Sequence, residues 1–148
     1  MLGCCACLDM TEPGDSNLAN KEAMLEAAST GDLHRVQQLV ENGVLIDCQN
    51  KEGLTALHAA AMSRRHDIVD YLLTNGANAQ LKTVSGRTVL HNACARSDAV
   101  IVETLLDAGC EINQVTDDGL RPLDYAIQWN REDIVRVLQQ RGGRSQAT

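Results

Sequence analysis

The sequence predicts an all-α solenoid of four helix-turn-helix units, because independent series of residues repeat with a period of 33. Two of these series are Gly43, Gly76, Gly109 and Gly142, and Leu39, Leu72, Leu105 and Leu138. The composition agrees with this fold class, since 44% of the 148 residues are hydrophobic but only 2% are aromatic. Small aliphatic side chains allow short helices to pack closely, and repeated units of this length bury their apolar faces against one another.

The second unit, residues 50–82, shows why each turn and helix of a unit is expected. The stretch "NKEG" predicts a turn in which Gly53 supplies a permissive backbone. Thr55 then caps a short helix that runs to about Met62. The stretch "SRRH" predicts a second turn, and the helix after it is apolar on one face. Gly76 can adopt the left-handed conformation that ends this helix, and an extended segment leads to the next hairpin-like loop.

The tetrads "TALH" at 55–58 and "TVLH" at 88–91 identify the type of unit. A 33-residue unit with this tetrad resembles the ankyrin repeat, whose signature is T-P-L-H-x-A. The resemblance implies an ankyrin solenoid with β-hairpin-like loops. The predicted organisation is a flexible, cysteine-containing N-terminal tail at 1–19, an ankyrin-repeat domain at 20–143 with repeats at about 20–49, 50–82, 83–115 and 116–143, and a C-terminal tail at 144–148.

The two outer repeats are expected to act as caps. The first lacks both the tetrad and the turn glycine that precedes it, and carries "EAML" instead. The fourth has Gln139 where the inner repeats have a second leucine, which predicts a face turned to water. No fifth repeat is therefore expected to stack on this side.

The resemblance implies a structural role for the tetrads, in which His58 and His91 tie neighbouring turns together and Thr55 and Thr88 cap helices. A catalytic alternative pairs His91 with Cys94, which share a helical face. Cys94 however occupies a position where two other repeats carry alanine, and no acid or oxyanion donor converges on it. The repeats also lack a glycine-rich phosphate loop and an H-E-x-x-H motif. No enzymatic activity, cofactor or metal site is expected.

The first residues, "MLGCCACLDM", contain Cys4, Cys5 and Cys7. One interpretation is a disordered end that continues into a linker at Pro13. Another is reversible S-acylation, which would attach the chain to a membrane surface. Metal or redox chemistry is a third. Position 2 is leucine rather than glycine, which excludes N-myristoylation.

Charge and hydropathy restrict the partners. The net charge is −7 and no basic stripe is visible, so binding to nucleic acid is not expected. No apolar run is long enough to cross a membrane, and membrane contact is expected only if the N-terminal cysteines are acylated. The start is a poor signal peptide, and we expect a monomer in the cytoplasm or nucleus.

Ankyrin domains bind proteins through their hairpin tips and the concave side of their first helices. Transferred to this chain, those positions are Lys51, Glu52, Leu54, Met62, Ser63, Arg87, Arg96, Asp117, Asp118, Leu120, Gln128 and Trp129. Trp129 aligns with polar residues in the other repeats, which predicts an exposed indole that anchors a partner. The alternative is an internal cation–π pair with Arg96. The acidic tip at Asp117 and Asp118 favours a partner with a basic segment.

These features predict a small adaptor or inhibitor that binds a protein partner. An S-acylated, membrane-recruited scaffold is one alternative. A second alternative is a protein similar to the four-repeat cyclin-dependent kinase inhibitors, whose final repeat resembles residues 121–143. The second repeat of those inhibitors has a shortened first helix, whereas residues 55–66 of this chain predict a first helix of full length.

A modification site is also predicted. The stretch "LLDAGCEIN" resembles sites that asparagine hydroxylases modify, which makes Asn113 a candidate for hydroxylation. The alternative is that Asn113 is an unmodified hairpin residue.

Overall fold

A computed structural model describes residues 14–143 of the chain, and the side chains from residue 19 onward. Over this range the chain forms four consecutive pairs of helices and no strand, which confirms the all-α repeat fold class. The helices are α1 (Gly14–Thr30), α2 (Leu33–Glu41), α3 (Ala56–Met62), α4 (His66–Thr74), α5 (Val89–Arg96), α6 (Ala99–Asp107), α7 (Pro122–Gln128) and α8 (Glu132–Gln140).

The helices form two rows, and the core lies between them. The first helices of the units, α1, α3, α5 and α7, pack against one another in sequence order, and each also packs against the second helix of its own unit. The core contains Leu57, Leu90 and Leu123 from the inner row and Leu72, Leu105 and Leu138 from the outer row, all buried. Because these leucines recur every 33 residues, each unit completes the core of its neighbour.

The loops between units are short hairpins that stack closely on one another. Within the second of these loops the backbone N–H of Thr83 donates to the carbonyl oxygen of Arg87 at 2.8 Å, and the N–H of Asp117 in the next loop donates to the carbonyl oxygen of Ser85 at 3.3 Å. Gly86 has φ +80°, and a Cβ atom there would lie 2.9 Å from the backbone nitrogen of Asp117. Glycine is required at this position both by the backbone conformation and by the close approach of the next loop.

The first unit departs from the expectation. Helix α1 begins at Gly14, so residues 14–19 are helical and the prediction of a flexible segment up to residue 19 does not hold for them. The physical reason is that no glycine or proline interrupts the chain between Gly14 and Gly31, and this segment contains good helix formers in place of a hairpin loop. The rest of the predicted N-terminal tail, and the C-terminal tail at 144–148, lie outside the described residues.

The last unit has an open outer face. Gln139 is exposed, as its departure from the leucine pattern predicts. Ile127 is 49% exposed, although the equivalent residues of the inner units, Ala61 and Cys94, are fully buried. No neighbour therefore covers this side of α7 within residues 14–143. Among the described helices, none combines the length and apolar character that a membrane span requires.

Candidate binding surface

A cavity of about 780 Å³ opens on the concave side of the last three units. Its lining comes from the ends of the first helices and from the hairpin tips. The residues are Met62, Arg87, Asn92, Ala95, Arg96, Asp118, Leu120, Tyr125, Gln128, Trp129 and Arg131. The volume lies within the range of ligand sites, and the mixture of aromatic, aliphatic and charged side chains is typical of a surface that recognises another molecule.

Trp129 lies at the edge of this cavity and is 58% exposed. It caps the C-terminal end of α7, where its backbone N–H donates to the carbonyl oxygen of Tyr125 at 3.0 Å. The helix therefore fixes the position of the backbone, while the indole remains in contact with solvent. An exposed indole beside a cavity is unfavourable in the free protein and is stabilised when a partner covers it.

The wall of the cavity is organised around Tyr125, which is itself buried. Its ring makes an edge-on contact with the imidazole of His91, with the ring centroids 5.3 Å apart. The guanidinium carbon of Arg87 lies 5.5 Å from the centroid of the same ring. Across residues 19–143 the cation–π contact is therefore between Arg87 and Tyr125, and not between Arg96 and Trp129.

Arginines at the start of the second helices connect neighbouring units. Nη2 of Arg131 donates to the carbonyl oxygen of Ala95 at 3.3 Å, and Nε of Arg65 donates to that of Ser29 at 3.1 Å. Each arginine thereby satisfies a carbonyl in the last turn of the first helix of the preceding unit. The contact of Arg131 helps to position this side chain, which lines the cavity.

The histidines of the tetrads act inside the fold. The backbone N–H of Thr55 donates to Nδ1 of His58 at 3.2 Å, and Thr88 makes the same bond to His91 at 3.1 Å. Because Nδ1 accepts, the proton of the neutral ring lies on Nε2. In His91 this nitrogen donates to the carbonyl oxygen of Gln114 at 2.8 Å and so ties α5 to the next hairpin loop.

Both imidazoles are neutral near pH 7. Burial lowers the pKa of His58 and of His91 from 6.5 to about 4, and backbone carbonyl groups beside each ring offset only part of this effect. The second ring nitrogen of His58 faces the carbonyl of Arg87 without a hydrogen bond of good geometry. A proton added to either ring would displace the backbone N–H that Nδ1 accepts. The rings are therefore suited to bracing loops rather than to transferring protons.

Comparison with known proteins agrees with this geometry. The family model for ankyrin repeats in three copies matches residues 2–83 and 75–147. The chain belongs to the ankyrin-repeat family. Ankyrin repeats indicate a protein–protein interaction module, and the matching family is not one of enzymes.

The curated relatives share the repeats over part of their length. The chain is 43% identical over 53 residues to the ankyrin repeat domain-containing protein 40 of Mus musculus, a match that covers 35% of this chain and 15% of that protein. A putative ankyrin repeat protein of Rickettsia felis is 45% identical over 49 residues, which is 33% of this chain and 78% of that protein. The eye-specific diacylglycerol kinase of Drosophila melanogaster is 43% identical over 51 residues, 34% of this chain and 4% of the kinase.

The ankyrin fold brings together seven of the twelve residues that the sequence nominates for binding. Those in the cavity are Met62, Arg87, Arg96, Asp118, Leu120, Gln128 and Trp129. The other five, Lys51, Glu52, Leu54, Ser63 and Asp117, lie outside it. Asn92, Tyr125 and Arg131 were not predicted from the sequence, although the four-residue spacing of Tyr125 and Trp129 on one helical face was a usable signal.

The cysteines of the ankyrin domain are buried. Cys48, Cys94 and Cys110 are not joined in disulfides, and burial raises the pKa of Cys94 far above its usual value and that of Cys110 to about 12. Among the described residues, no group of histidine, cysteine and carboxylate side chains is arranged to hold a metal ion. Cys4, Cys5 and Cys7 lie outside the described residues, so their acylation stays a prediction.

Asn113 has structural contacts of its own. Its side-chain Nδ2 donates to the carbonyl oxygen of Gly142 at 3.3 Å, and its backbone N–H donates to Glu111 at 3.3 Å. The side chain is half-buried in the hairpin region between the third and fourth repeats. Hydroxylation at this position stays a prediction.

Proposed function

We propose that this ankyrin domain is an adaptor or inhibitor, without enzymatic activity, that binds a protein partner in its concave cavity and along its hairpin tips. The observation that carries the proposal is the exposed indole of Trp129 at the edge of the cavity. Tryptophan is enriched among the residues that dominate binding energy at interfaces, and the cavity supplies Met62 and Leu120 as neighbouring apolar contacts.

The stacked repeats support binding through a fixed surface. The backbone of Trp129 is held by α7, and Arg87 is held over the ring of Tyr125. A surface whose groups are already in position loses little conformational entropy when a partner binds. The tips add a second contact, because the exposed carboxylates of Asp117 and Asp118 favour a basic residue of the partner at this point.

The alternatives have less support. A kinase-inhibitor-like protein would have a shortened first helix in its second repeat, but α3 has seven residues, the same length as α7. A membrane-recruited scaffold depends on the N-terminal cysteines alone. We therefore favour binding through the concave surface, and we propose a monomer in the cytoplasm or nucleus.

Proximity labelling in cells tests this proposal. The full chain, fused to a labelling enzyme, is compared with Trp129→Ala and with Val100→Ala. Val100 is a suitable control because it is 59% exposed but lies on α6, outside the cavity. We expect a set of labelled proteins that Trp129→Ala loses and Val100→Ala retains. Identical labelling by all three proteins, each folded by circular dichroism, argues against the proposal.

A further inference from the structure

The concave cavity carries a charge opposite to that of the whole chain. The chain has a net charge of −7, but the cavity is lined by Arg87, Arg96 and Arg131 and by a single carboxylate, that of Asp118. We propose that the cavity binds a peptide segment that places acidic residues beside an apolar anchor. This inference rests on the proposed function and specifies the chemistry of the partner.

The three guanidinium groups are available to an incoming anion. Across residues 19–143, none of them forms an ion pair with a carboxylate of the chain. Arg96 is exposed at the end of α5. The cavity therefore contains cationic donors that form no ion pair with the described part of the chain and can bond an incoming carboxylate.

Two of these arginines are also fixed in position. The guanidinium carbon of Arg87 lies 5.5 Å from the centroid of the Tyr125 ring, and this cation–π contact leaves guanidinium N–H groups for a carboxylate. Nη2 of Arg131 is tied to Ala95, while its Nε is buried and has no hydrogen-bond acceptor in the described part of the chain. A partly buried cation without a counter-ion is costly, and a bound carboxylate nearby would offset that cost.

The apolar part of the cavity selects a peptide over a simple polyanion. Met62, Leu120 and Trp129 present aliphatic and aromatic surface next to the arginines. A nucleic acid would place phosphates along this surface and also against the carboxylate of Asp118. A segment with an apolar side chain flanked by aspartate or glutamate matches both parts of the cavity. The basic contact proposed at the hairpin tip is separate where it concerns Asp117, which lies outside the cavity, whereas Asp118 lines the cavity beside the arginines.

A displayed library of random peptides that lack tryptophan tests the inference on the full chain. Because Trp129 is the only tryptophan, its fluorescence then reports occupancy of the cavity directly. We expect selected peptides to be enriched in Asp and Glu next to an apolar residue. Synthetic versions should change the Trp129 emission and bind more weakly as salt is raised.

Two charge reversals provide the matched comparison. Arg96→Glu should weaken the selected acidic peptides about tenfold or more, because a charge-assisted contact becomes a repulsion. Arg136→Glu is the control, since Arg136 is exposed on α8 and does not line the cavity. Equal affinities for the two variants would overturn the inference.

The outcomes separate the inference from the proposed function. Neutral or basic peptides that change the Trp129 emission contradict the acidic partner but leave concave binding intact. Peptides that bind without changing this emission, and equally well to Trp129→Ala, contradict the proposed function itself. Recovery no higher than on an empty support contradicts both. Heparin serves as a polyanion control in the same fluorescence assay. If heparin saturates the cavity and no acidic peptide is enriched, the cavity is a polyanion site and the peptide proposal is overturned.

Discussion

Acidification should destabilise this protein through its two buried imidazoles. His58 and His91 have pKa values of about 4 in the folded state, against 6.5 for an exposed histidine. Between these values the unfolded chain binds more protons than the folded one. The stabilisation of the fold by the neutral rings is therefore fully present above about pH 6.5 and is lost as the pH falls toward 4.

The magnitude follows from the size of the shift. One pKa unit corresponds to about 1.36 kcal/mol, so the complete shift of each histidine is worth roughly 3 kcal/mol. At pH 5 the loss amounts to roughly 2 kcal/mol for each ring and roughly 4 kcal/mol for the pair. A domain of this kind has about 5–15 kcal/mol of total stability, so the effect is large enough to measure.

Urea unfolding followed by circular dichroism, between pH 7.5 and 4.5, measures this loss. The matched control is the double variant His58→Asn and His91→Asn. An amide can accept the same backbone N–H, as the carboxylate of Asp124 does from Arg121 at 2.9 Å, but it does not titrate. Surface carboxylates and the exposed pair of His66 with Asp98 are present in both proteins, so they change the free energy of unfolding with pH equally in each. If the two proteins lose stability in parallel, the histidine account is refuted.

Three further predictions concern the core, a loop and a thiol. Leu72→Ala should lower the free energy of unfolding by about 2–5 kcal/mol in urea titration, since Leu72 is fully buried, and a loss far below that contradicts a shared core. Gly86→Ala should cost roughly 1–3 kcal/mol, more than Gly109→Ala, because both have positive φ but only Gly86 meets Asp117; equal costs contradict the stacked loops. Cys94 should resist alkylation by iodoacetamide, monitored by mass spectrometry, until the domain unfolds.

The period of 33 made the repeats predictable, because equivalent residues have equivalent environments in a solenoid. Leu57 and Leu90 are buried for the same reason, and the bonds from the backbone N–H of Thr55 and Thr88 to the rings of His58 and His91 are nearly identical. The start of α1 was not predictable in this way. The first unit lacks the tetrad, so no repeat register restricted where its helix begins, and local helix propensity extends it to Gly14.

The lining of the cavity was predictable only in part. Residues at aligned tip and helix-end positions, such as Arg96 and Trp129, could be read from the repeat. Tyr125 could not, because its equivalents Asn92 and Ala59 differ from it in size, and Arg131 could not, because its equivalents are Asp98 as well as Arg65. The positive character of the cavity also depends on side chains from three units meeting in space, which the charge of a hairpin tip does not reveal.

The most direct test of the central claim is the affinity of a purified partner, identified by proximity labelling, for the wild-type chain and for Trp129→Ala. Loss of a buried tryptophan anchor costs on the order of 2–4 kcal/mol, so we expect the dissociation constant to rise about 30-fold to nearly 1,000-fold. Val100→Ala should leave it unchanged. An unaltered affinity of a folded Trp129→Ala protein would contradict recognition through the concave cavity.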